Sequence, residues 1–189
     1  MQKKPLTSQQ VSALRTITQH LPLQNLLLNL GVDLMLRAGD LLQLKVRDVV
    51  GPDGLPRDFV RVRQSKPGRQ SIALPLSQES RDCIQSHLLG TPPNEFVFKG
   101  QKFARTKKPL GIHAFARIVK SWVRQLNVRD VAEYSTHSLR RTKPSIIYSQ
   151  TGNAEAIRRL LGHSSVQVTS NYLGVSDADA TELARNIRV

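Results

Sequence analysis

The amino-acid sequence predicts an α+β domain that is mainly helical and carries a small three-stranded antiparallel sheet. Two observations predict this fold class. Apolar residues recur at helical spacing at the start of the chain and through its second half, whereas short β-rich runs occupy 46–50, 59–63 and 71–74. Gly-Pro-Asp-Gly and Lys-Pro-Gly-Arg separate these runs, and their residues favour tight turns. Because 189 residues suffice for a substantial core, we expect a single domain over residues 1–189.

The elements before the sheet are predicted to be helices. Thr7 and Gln10 have the spacing of a capping box, and apolar residues follow at helical spacing, so the first helix should begin near residue 8. Residues 23–36 are apolar on most sides, which is typical of a buried central helix. Residues 37–40 break that helix before a shorter one that runs to about Leu44.

After the sheet the sequence again predicts helices. Ser77 is a suitable cap for a helix that Gly90 ends, and residues 115–126 show helical periodicity with Trp122 on the apolar side. Beyond Thr136 we expect four short helices, three of them with candidate caps. These helices are predicted at 138–150, 154–161, 165–172 and 177–187, and the caps are Asn153, Ser165 and Ser176.

Charge is the property of the composition that points to a partner. The chain has 28 Lys and Arg residues against 14 Asp and Glu residues, which gives a formal net charge of +14 and a pI near 10.8. A protein with that excess usually meets a polyanion. Nucleic acid is therefore the first candidate partner.

Cysteine usage and hydropathy exclude other classes. Cys83 is the only cysteine, so it cannot form an intramolecular disulfide, and no Cys and His cluster has zinc-ligand spacing. We therefore expect that Cys83 fills the core, that the protein has no metal site, and that it resides in a reducing, cytosolic compartment. The N-terminus has no apolar signal core, and the apolar segment 21–36 is interrupted by polar residues and short for a bilayer, so we expect no membrane association.

The segment 137–173, HSLRRTKPSIIYSQTGNAEAIRRLLGHSSVQVTSNYL, carries the residue types that cleave a phosphodiester. Metal-free cleavage needs a nucleophile, cationic donors for the non-bridging oxygens, and an acid for the leaving oxygen. Arg37 and Arg140 can present planar donor forks to phosphate oxygens, and His137 and His163 can donate or shuttle protons at neutral pH. Tyr172 is the favoured nucleophile, although its phenol needs a neighbouring base and positive charge.

Further basic residues complete this hypothesis. Lys66 lies in the Ser-Lys-Pro-Gly turn, from which its ammonium could reach the leaving oxygen, and Arg69 is a candidate phosphate contact. Residues 99–108 form a polar loop whose basic residues are Lys99, Lys102, Arg105, Lys107 and Lys108. Contact with the DNA backbone and a contribution to solubility alone are equally good interpretations of these residues. Taken alone, each of these residues could have a purely structural role. Tyr172, for example, could be a half-buried core tyrosine, as we expect Tyr148 to be.

The joint order of these residues resembles the catalytic domain of tyrosine recombinases, the phage-integrase family. Residues 35–40 (Met-Leu-Arg-Ala-Gly-Asp) are similar to the family's Gly-Leu-Arg-x-x-Glu box, with Asp40 as the acidic partner. His137 to Arg140 match its His-x-x-Arg box, the Leu-Gly-His-Ser at 161–164 its later histidine box, and Asn-Tyr-Leu at 171–173 its nucleophile. The family places its general-acid lysine in the hairpin before a Pro-Leu pair, here residues 75–76, which implies that role for Lys66.

The resemblance implies DNA strand transfer through a 3′-phosphotyrosyl intermediate, without metal or nucleotide cofactor. It implies double-stranded DNA as the partner, a homotetramer on synapsed DNA, and a cytoplasmic protein that is nucleoid-associated when bound to DNA. A segment beyond the tyrosine docks on a neighbouring protomer in the family, and residues 176–189, with apolar residues at helical spacing, are the candidate for it.

Two departures from the family pattern lead to alternatives. Members usually carry a separate N-terminal core-binding domain, whereas here the first helix starts almost at once, so we expect a short form whose DNA affinity and site selection are either weak or dependent on an accessory DNA-binding protein. Pro144 follows the His-x-x-Arg box and is interpreted as a first-turn position and not a break. The short N-terminus motivates a second hypothesis, a DNA-binding accessory or regulatory module that cuts poorly. A type IB topoisomerase, which uses similar chemistry, is a third hypothesis.

Overall fold

The computed structural model describes residues 2–62, 73–99, 108–174 and 185. Within those ranges the chain forms nine α-helices, a short 3-10 helix at Val131–Glu133 and two strands. The elements are α1 Ser8–Thr18, α2 Pro22–Asp33, α3 Ala38–Leu42, α4 Val46–Val49, β1 Phe59–Arg61, β2 Ala73–Pro75, α5 Gln78–Leu88, α6 Ile112–Gln125, α7 Thr136–Thr151, α8 Ala154–Leu161 and α9 Val166–Leu173.

The two N-terminal helices form as the sequence predicts. Thr7 accepts a hydrogen bond from the backbone of Gln10, whose side chain accepts from the backbone of Thr7, so the predicted capping box starts α1. In α2 every residue from 26 to 33 is buried, and the helix packs against α1, α5 and α7. The prediction of a buried central helix is therefore confirmed.

The predicted strand at 46–50 is wrong, because Val46–Val49 forms a helical turn. The Asp48 carboxylate accepts a 2.7 Å hydrogen bond from the backbone nitrogen of Lys45, which caps that turn. Val46 and Val49, three residues apart, are 2% and 0% exposed, so a helix buries both on one face. Three valines within five residues favour a strand locally, and this cap together with burial outweighs that preference.

The described part of the sheet has two strands, so a third strand is not confirmed. The antiparallel strands β1 and β2 pair Val60 with Leu74, and both side chains are buried. Residues 63–72, which connect them, lie outside the described residues. The polypeptide then enters α5, which Ser77 caps as predicted and which Gly90 follows with a φ of +74°.

The core continues into α6 and α5. Helix α6 begins three residues before the predicted start, and Trp122 on its apolar side is 1% exposed. The indole Nε1 of Trp122 donates to the side-chain oxygen of Gln24, so the buried polar atom is satisfied. Cys83 is buried, and that burial raises the pKa of its thiol to about 12, which confirms its role as core filling.

The C-terminal helices confirm two predicted caps and correct one interpretation. Side chains of Asn153 and Ser165 cap α8 and α9, while the predicted helix 177–187 and its cap Ser176 lie outside the described residues. Pro144 is the ninth residue of the sixteen-residue helix α7, so its placement in a first turn is wrong. The cap at Ser135 starts the helix earlier than predicted, and the helix continues through the proline.

Across the ranges 2–62, 73–99 and 108–174, no helix combines the length and the apolar composition needed to cross a membrane.

Candidate functional site

Helix α7 supplies three functional side chains from its first turns. Ser135 caps this end by accepting a hydrogen bond from the backbone nitrogen of His137. His137, Arg140 and Arg141 follow at spacings of three and four residues, which place them on one face of a helix. That face points towards α9, which carries Tyr172. The helical period therefore gathers an imidazole and two guanidinium groups around the phenol.

Arg140 is a buried arginine whose guanidinium is held by two distant carbonyl groups. Its Nη1 donates to the backbone oxygen of Met35 at 2.6 Å, and its Nη2 donates to that of Leu161 at 3.4 Å. The residue is 2% exposed. The two bonds tie α7 to the link between α2 and α3 and to the end of α8, so the planar fork is oriented before any ligand binds.

Arg37 approaches the same place from another part of the chain. It occupies the position before α3, with an extended backbone, and its side chain is half-buried. Its charge is close enough to act on both His137 and Tyr172. Asp40, the predicted acidic partner, lies in the first turn of α3 and is 7% exposed. The first predicted arginine box therefore meets the second in space.

His163 is a buried histidine with a defined partner. Its Nδ1 lies 3.1 Å from Oγ1 of Thr169, and that hydroxyl donates to the backbone oxygen of Ser165. A Thr169 hydroxyl that donates to this carbonyl can accept a hydrogen bond from Nδ1 of His163, so the contact fits the tautomer that has its hydrogen on Nδ1. A neutral His163 then has its unprotonated nitrogen at Nε2, which is the form that can accept a proton.

Tyr172 lies where these residues converge. Its ring meets those of His137 and His163 edge-on, with centroids 5.6 and 5.2 Å away and interplanar angles of 80° and 75°. Its hydroxyl is buried, and the Arg140 side chain lies close enough to act on it. Burial raises the pKa of Tyr172 to about 12, and the opposing charges of Arg140 and Arg141 reduce that rise without cancelling it.

His137 is the more open of the two imidazoles. Its pKa is lowered, first by partial desolvation of the ring and then by the positive charges of Arg140, Arg141 and Arg37. A histidine with a lowered pKa is uncharged at neutral pH. The site therefore offers the neutral imidazole of His137 beside a neutral phenol, an arrangement that can remove a phenolic proton.

Some of the residues predicted from the sequence lie elsewhere or outside the described ranges. Lys99 forms an ion pair with Glu95, and Lys108 is exposed at the far end of the same loop. The remaining predicted residues fall on segments that the structure does not describe, namely Lys66, Arg69, Lys102, Arg105 and Lys107.

Three contributors to the site were missed by the sequence reasoning. Arg141 is 5% exposed and places its guanidinium carbon 5.1 Å from the centroid of the Tyr172 ring. Its position four residues after His137 is the signal that could have found it. Thr169, which orients His163, and the ion pair of Lys143 with Asp33 carry no comparable local signal.

Among the described residues, no three His, Cys, Asp or Glu side chains are grouped so that they could hold a metal ion.

Comparisons with known proteins agree on one family. The model of the phage integrase family matches residues 4–179. The chain is 30% identical over 158 residues to the probable integrase/recombinase YoeC of Bacillus subtilis, covering 83% of this chain and 80% of that protein. It is 25% identical over 152 residues to a tyrosine recombinase of Thermosipho africanus, covering 80% of this chain and 50% of the relative.

Solved structures share the fold at low sequence identity. The crystal structure of XerA recombinase superposes with a TM-score of 0.75 at 18% identity, over 100% of this chain and 68% of that one. The XerH site-specific recombinase bound to its difH substrate in a post-cleavage complex gives a TM-score of 0.70 at 16% identity, over 98% of this chain and 54% of that one. This chain therefore spans roughly half to four-fifths of the relatives described above.

Proposed function

The chain belongs to the phage integrase family, and we propose that it is a site-specific DNA recombinase that cleaves and rejoins DNA through Tyr172. The observation that carries the proposal is the surrounding of the Tyr172 ring by His137, His163 and Arg141, with Arg140 and Arg37 close enough to act on its charge. A solitary core tyrosine has no need of two imidazoles and three guanidinium groups.

In the proposed reaction the Tyr172 oxygen attacks the scissile phosphorus. The phosphorus to 5′-oxygen bond breaks, and a 3′-phosphotyrosyl bond forms in its place. The phenolic proton passes to the neutral imidazole of His137, while His163, which Thr169 orients, also meets the Tyr172 ring edge-on. Lys66, which lies outside the described residues, would protonate the leaving 5′-oxygen. A 5′-hydroxyl from another strand reverses the step, so bond energy is retained.

Cations compensate for the charge that develops in this reaction. Arg37 and Arg140 would neutralise the non-bridging phosphate oxygens, and Arg140 is already oriented by the carbonyl oxygens of Met35 and Leu161. Binding of a phosphate beside Tyr172 would require no metal or nucleotide, because these side chains supply the charge and the proton transfers.

Double-stranded DNA is the proposed partner because the chain carries a net charge of +14. We propose one catalytic domain over residues 1–189 that acts as a homotetramer on synapsed DNA, with an accessory DNA-binding protein assisting site selection. Residues outside the central site would contact the DNA backbone; these are Arg69, Lys99, Lys102, Arg105, Lys107 and Lys108. Lys99 would exchange its partner Glu95 for a phosphate.

The test is covalent capture on nicked duplexes that trap the intermediate, drawn from a library of sequences. Wild type should give a protein band shifted by attached DNA in denaturing electrophoresis, and Tyr172→Phe should give none. Tyr148→Phe is the matched control, because it removes the same hydroxyl from a half-buried tyrosine of α7. We expect Tyr148→Phe to be captured like wild type.

Two other outcomes would redirect the proposal. Capture that persists in Tyr172→Phe would remove Tyr172 as the nucleophile. Salt-sensitive duplex binding by wild type without any captured DNA would favour the accessory binding module instead. Binding should weaken with salt at a log-log slope of about 0.9 for each phosphate neutralised.

A further inference from the structure

Arg141 is a buried arginine that faces the nucleophile and lies outside the motifs described above. It is 5% exposed, and its guanidinium carbon is 5.1 Å from the centroid of the Tyr172 ring. Its Nε is buried and makes no hydrogen bond to any residue that the structure describes. A guanidinium is attracted to the face of an aromatic ring, so Arg141 acts on the orientation of Tyr172.

Gln2 connects that arginine to the backbone of the nucleophile's helix. Its side-chain oxygen accepts a 3.0 Å hydrogen bond from Nη1 of Arg141, and its side-chain nitrogen donates to the backbone oxygen of Asn171 at 2.6 Å. Asn171 immediately precedes Tyr172. One amide group therefore uses its acceptor on the arginine and its donor on α9, which fixes the distance between them.

The segment that carries Gln2 is anchored along the same side of the fold. The backbone nitrogen of Lys4 donates to the backbone oxygen of Glu133, and the Lys4 ammonium pairs with the Glu133 carboxylate at 2.8 Å. The backbone nitrogen of Leu6 donates to Oγ1 of Thr142 at 3.0 Å, and Leu6 is buried. These contacts hold Gln2 over the junction of α7 and α9.

We propose that Arg141 and Gln2 are positioning residues that hold the Tyr172 ring in its reactive orientation. The inference rests on the proposed function for the role of Tyr172, but the contact itself can be measured on DNA-free protein. Arg141 presents a flat cation to the ring while it donates to Gln2. A lysine at this position has no planar fork, so it cannot meet the ring and the amide together.

The first measurement is the NMR spectrum of protein with ring-labelled tyrosine. The chain has three tyrosines, and Tyr172→Phe identifies the signal of Tyr172. Arg141→Lys and Gln2→Ala should both move that signal and leave those of Tyr134 and Tyr148 in place. Because Gln2 is exposed, its substitution tests the proposal even where an Arg141 variant does not fold.

Matched controls remove the same groups away from the site. Gln9→Ala alters an exposed glutamine of α1, and Arg159→Lys alters an arginine of α8 whose side chain is 71% exposed. Neither should move the Tyr172 signal. A Tyr172 signal that stays in place in both Gln2→Ala and Arg141→Lys would overturn the proposal.

The second measurement is the single-turnover rate of covalent capture at saturating DNA. Gln2→Ala should lower the rate about tenfold, as loss of one hydrogen bond to a charged group predicts, while the duplex Kd stays unchanged. A shifted signal with an unchanged capture rate would also overturn the positioning role. Absence of capture by wild type would instead defeat the proposed function, and the NMR result would then decide the Arg141 contact alone.

Discussion

The guanidinium of Arg140 donates a 2.6 Å hydrogen bond to the backbone oxygen of Met35, which has a φ of +49°. A non-glycine residue rarely adopts this left-handed conformation, which costs about 1 to 3 kcal/mol. Met35 is also 2% exposed, so its side chain is part of the core. The strained link between α2 and α3 thus aims one carbonyl group at the arginine that lies beside the proposed nucleophile.

Arg140→Lys should retain one positive charge and lose the planar fork that spans two carbonyl groups. We expect the single-turnover rate of covalent DNA capture to fall about 10²-fold or more, as removal of one preorganised donor does. Arg159→Lys makes the same change on an exposed surface of α8 and should keep the wild-type rate. An Arg140→Lys rate equal to wild type would show that charge alone suffices at this position.

Met35→Gly and Met35→Ala test the strain at the link directly. Both remove a buried side chain, but glycine adopts a φ of +49° without penalty, so Met35→Gly should be the more stable of the two by about 1 kcal/mol. Urea unfolding measures the difference. At Leu34, which has a φ of −83°, the order should reverse, because glycine there only adds backbone entropy to the unfolded chain. The same order at both positions would contradict the assignment of strain to Met35.

Asp33→Asn should destabilise the fold in a pH-dependent way. Burial alone would raise the pKa of Asp33, but hydrogen bonds from Lys143, Ser77 and Ser80 outweigh it and leave the pKa lowered. A lowered folded-state pKa gives stability that is present above the unfolded pKa, which is near 3.8, and that is lost as pH falls through the folded pKa.

Chemical denaturation should therefore show Asp33→Asn less stable than wild type by about 3 kcal/mol at neutral pH, as loss of one partner of a buried ion pair costs. The difference should shrink in acid below pH 3.8. Asp82→Asn, an exposed carboxylate of α5, is the control and should change the free energy of unfolding little. A constant difference across this pH range would exclude Asp33 as the titrating group.

The capture rate should decline in acid because an imidazole must be neutral to take the phenolic proton. The pKa of His137 lies below the ordinary histidine value of 6.5, so protonation and loss of rate should begin below that pH and not between pH 7 and 8. His137→Gln should lower the plateau and flatten this limb. His113→Gln, an exposed histidine of α6, should keep both. A rate that rises as pH falls would assign His137 the role of an acid instead.

Much of this fold could be predicted from the sequence, because many of its helix caps and motifs depend on residues that are close together in the chain. The capping box at Thr7, the cap at Ser77 and the spacing of the His-x-x-Arg box depend on residues within four positions of each other, and all three form in the structure. The strand predicted at 46–50 failed because valines at Val46 and Val49 suit a pleated surface as well as a helix face. Only the contacts around α4 decide between them.

The sequence motifs predicted the reacting residues of the site, but they did not predict the residues that orient them. Asp33 and Lys143 are separated by 110 residues in the sequence, and Gln2 and Arg141 by 139. No local sequence pattern can therefore predict either contact. Both depend on the packing of α7 against other elements. Sequence reasoning therefore reached the reacting groups earlier than the residues that orient them.

Pro144 divides α7 into two parts that should differ in their rates of amide hydrogen exchange. A proline has no amide hydrogen, so residue 144 cannot donate the helical hydrogen bond to the backbone carbonyl group of Arg140, four positions earlier. The turns before it are held by the Ser135 cap and contain mostly buried residues, whereas 145–151 are half-buried or exposed. Slow exchange should therefore be concentrated in the turns before the proline, which carry Arg140 and Arg141, while the following turns open more readily.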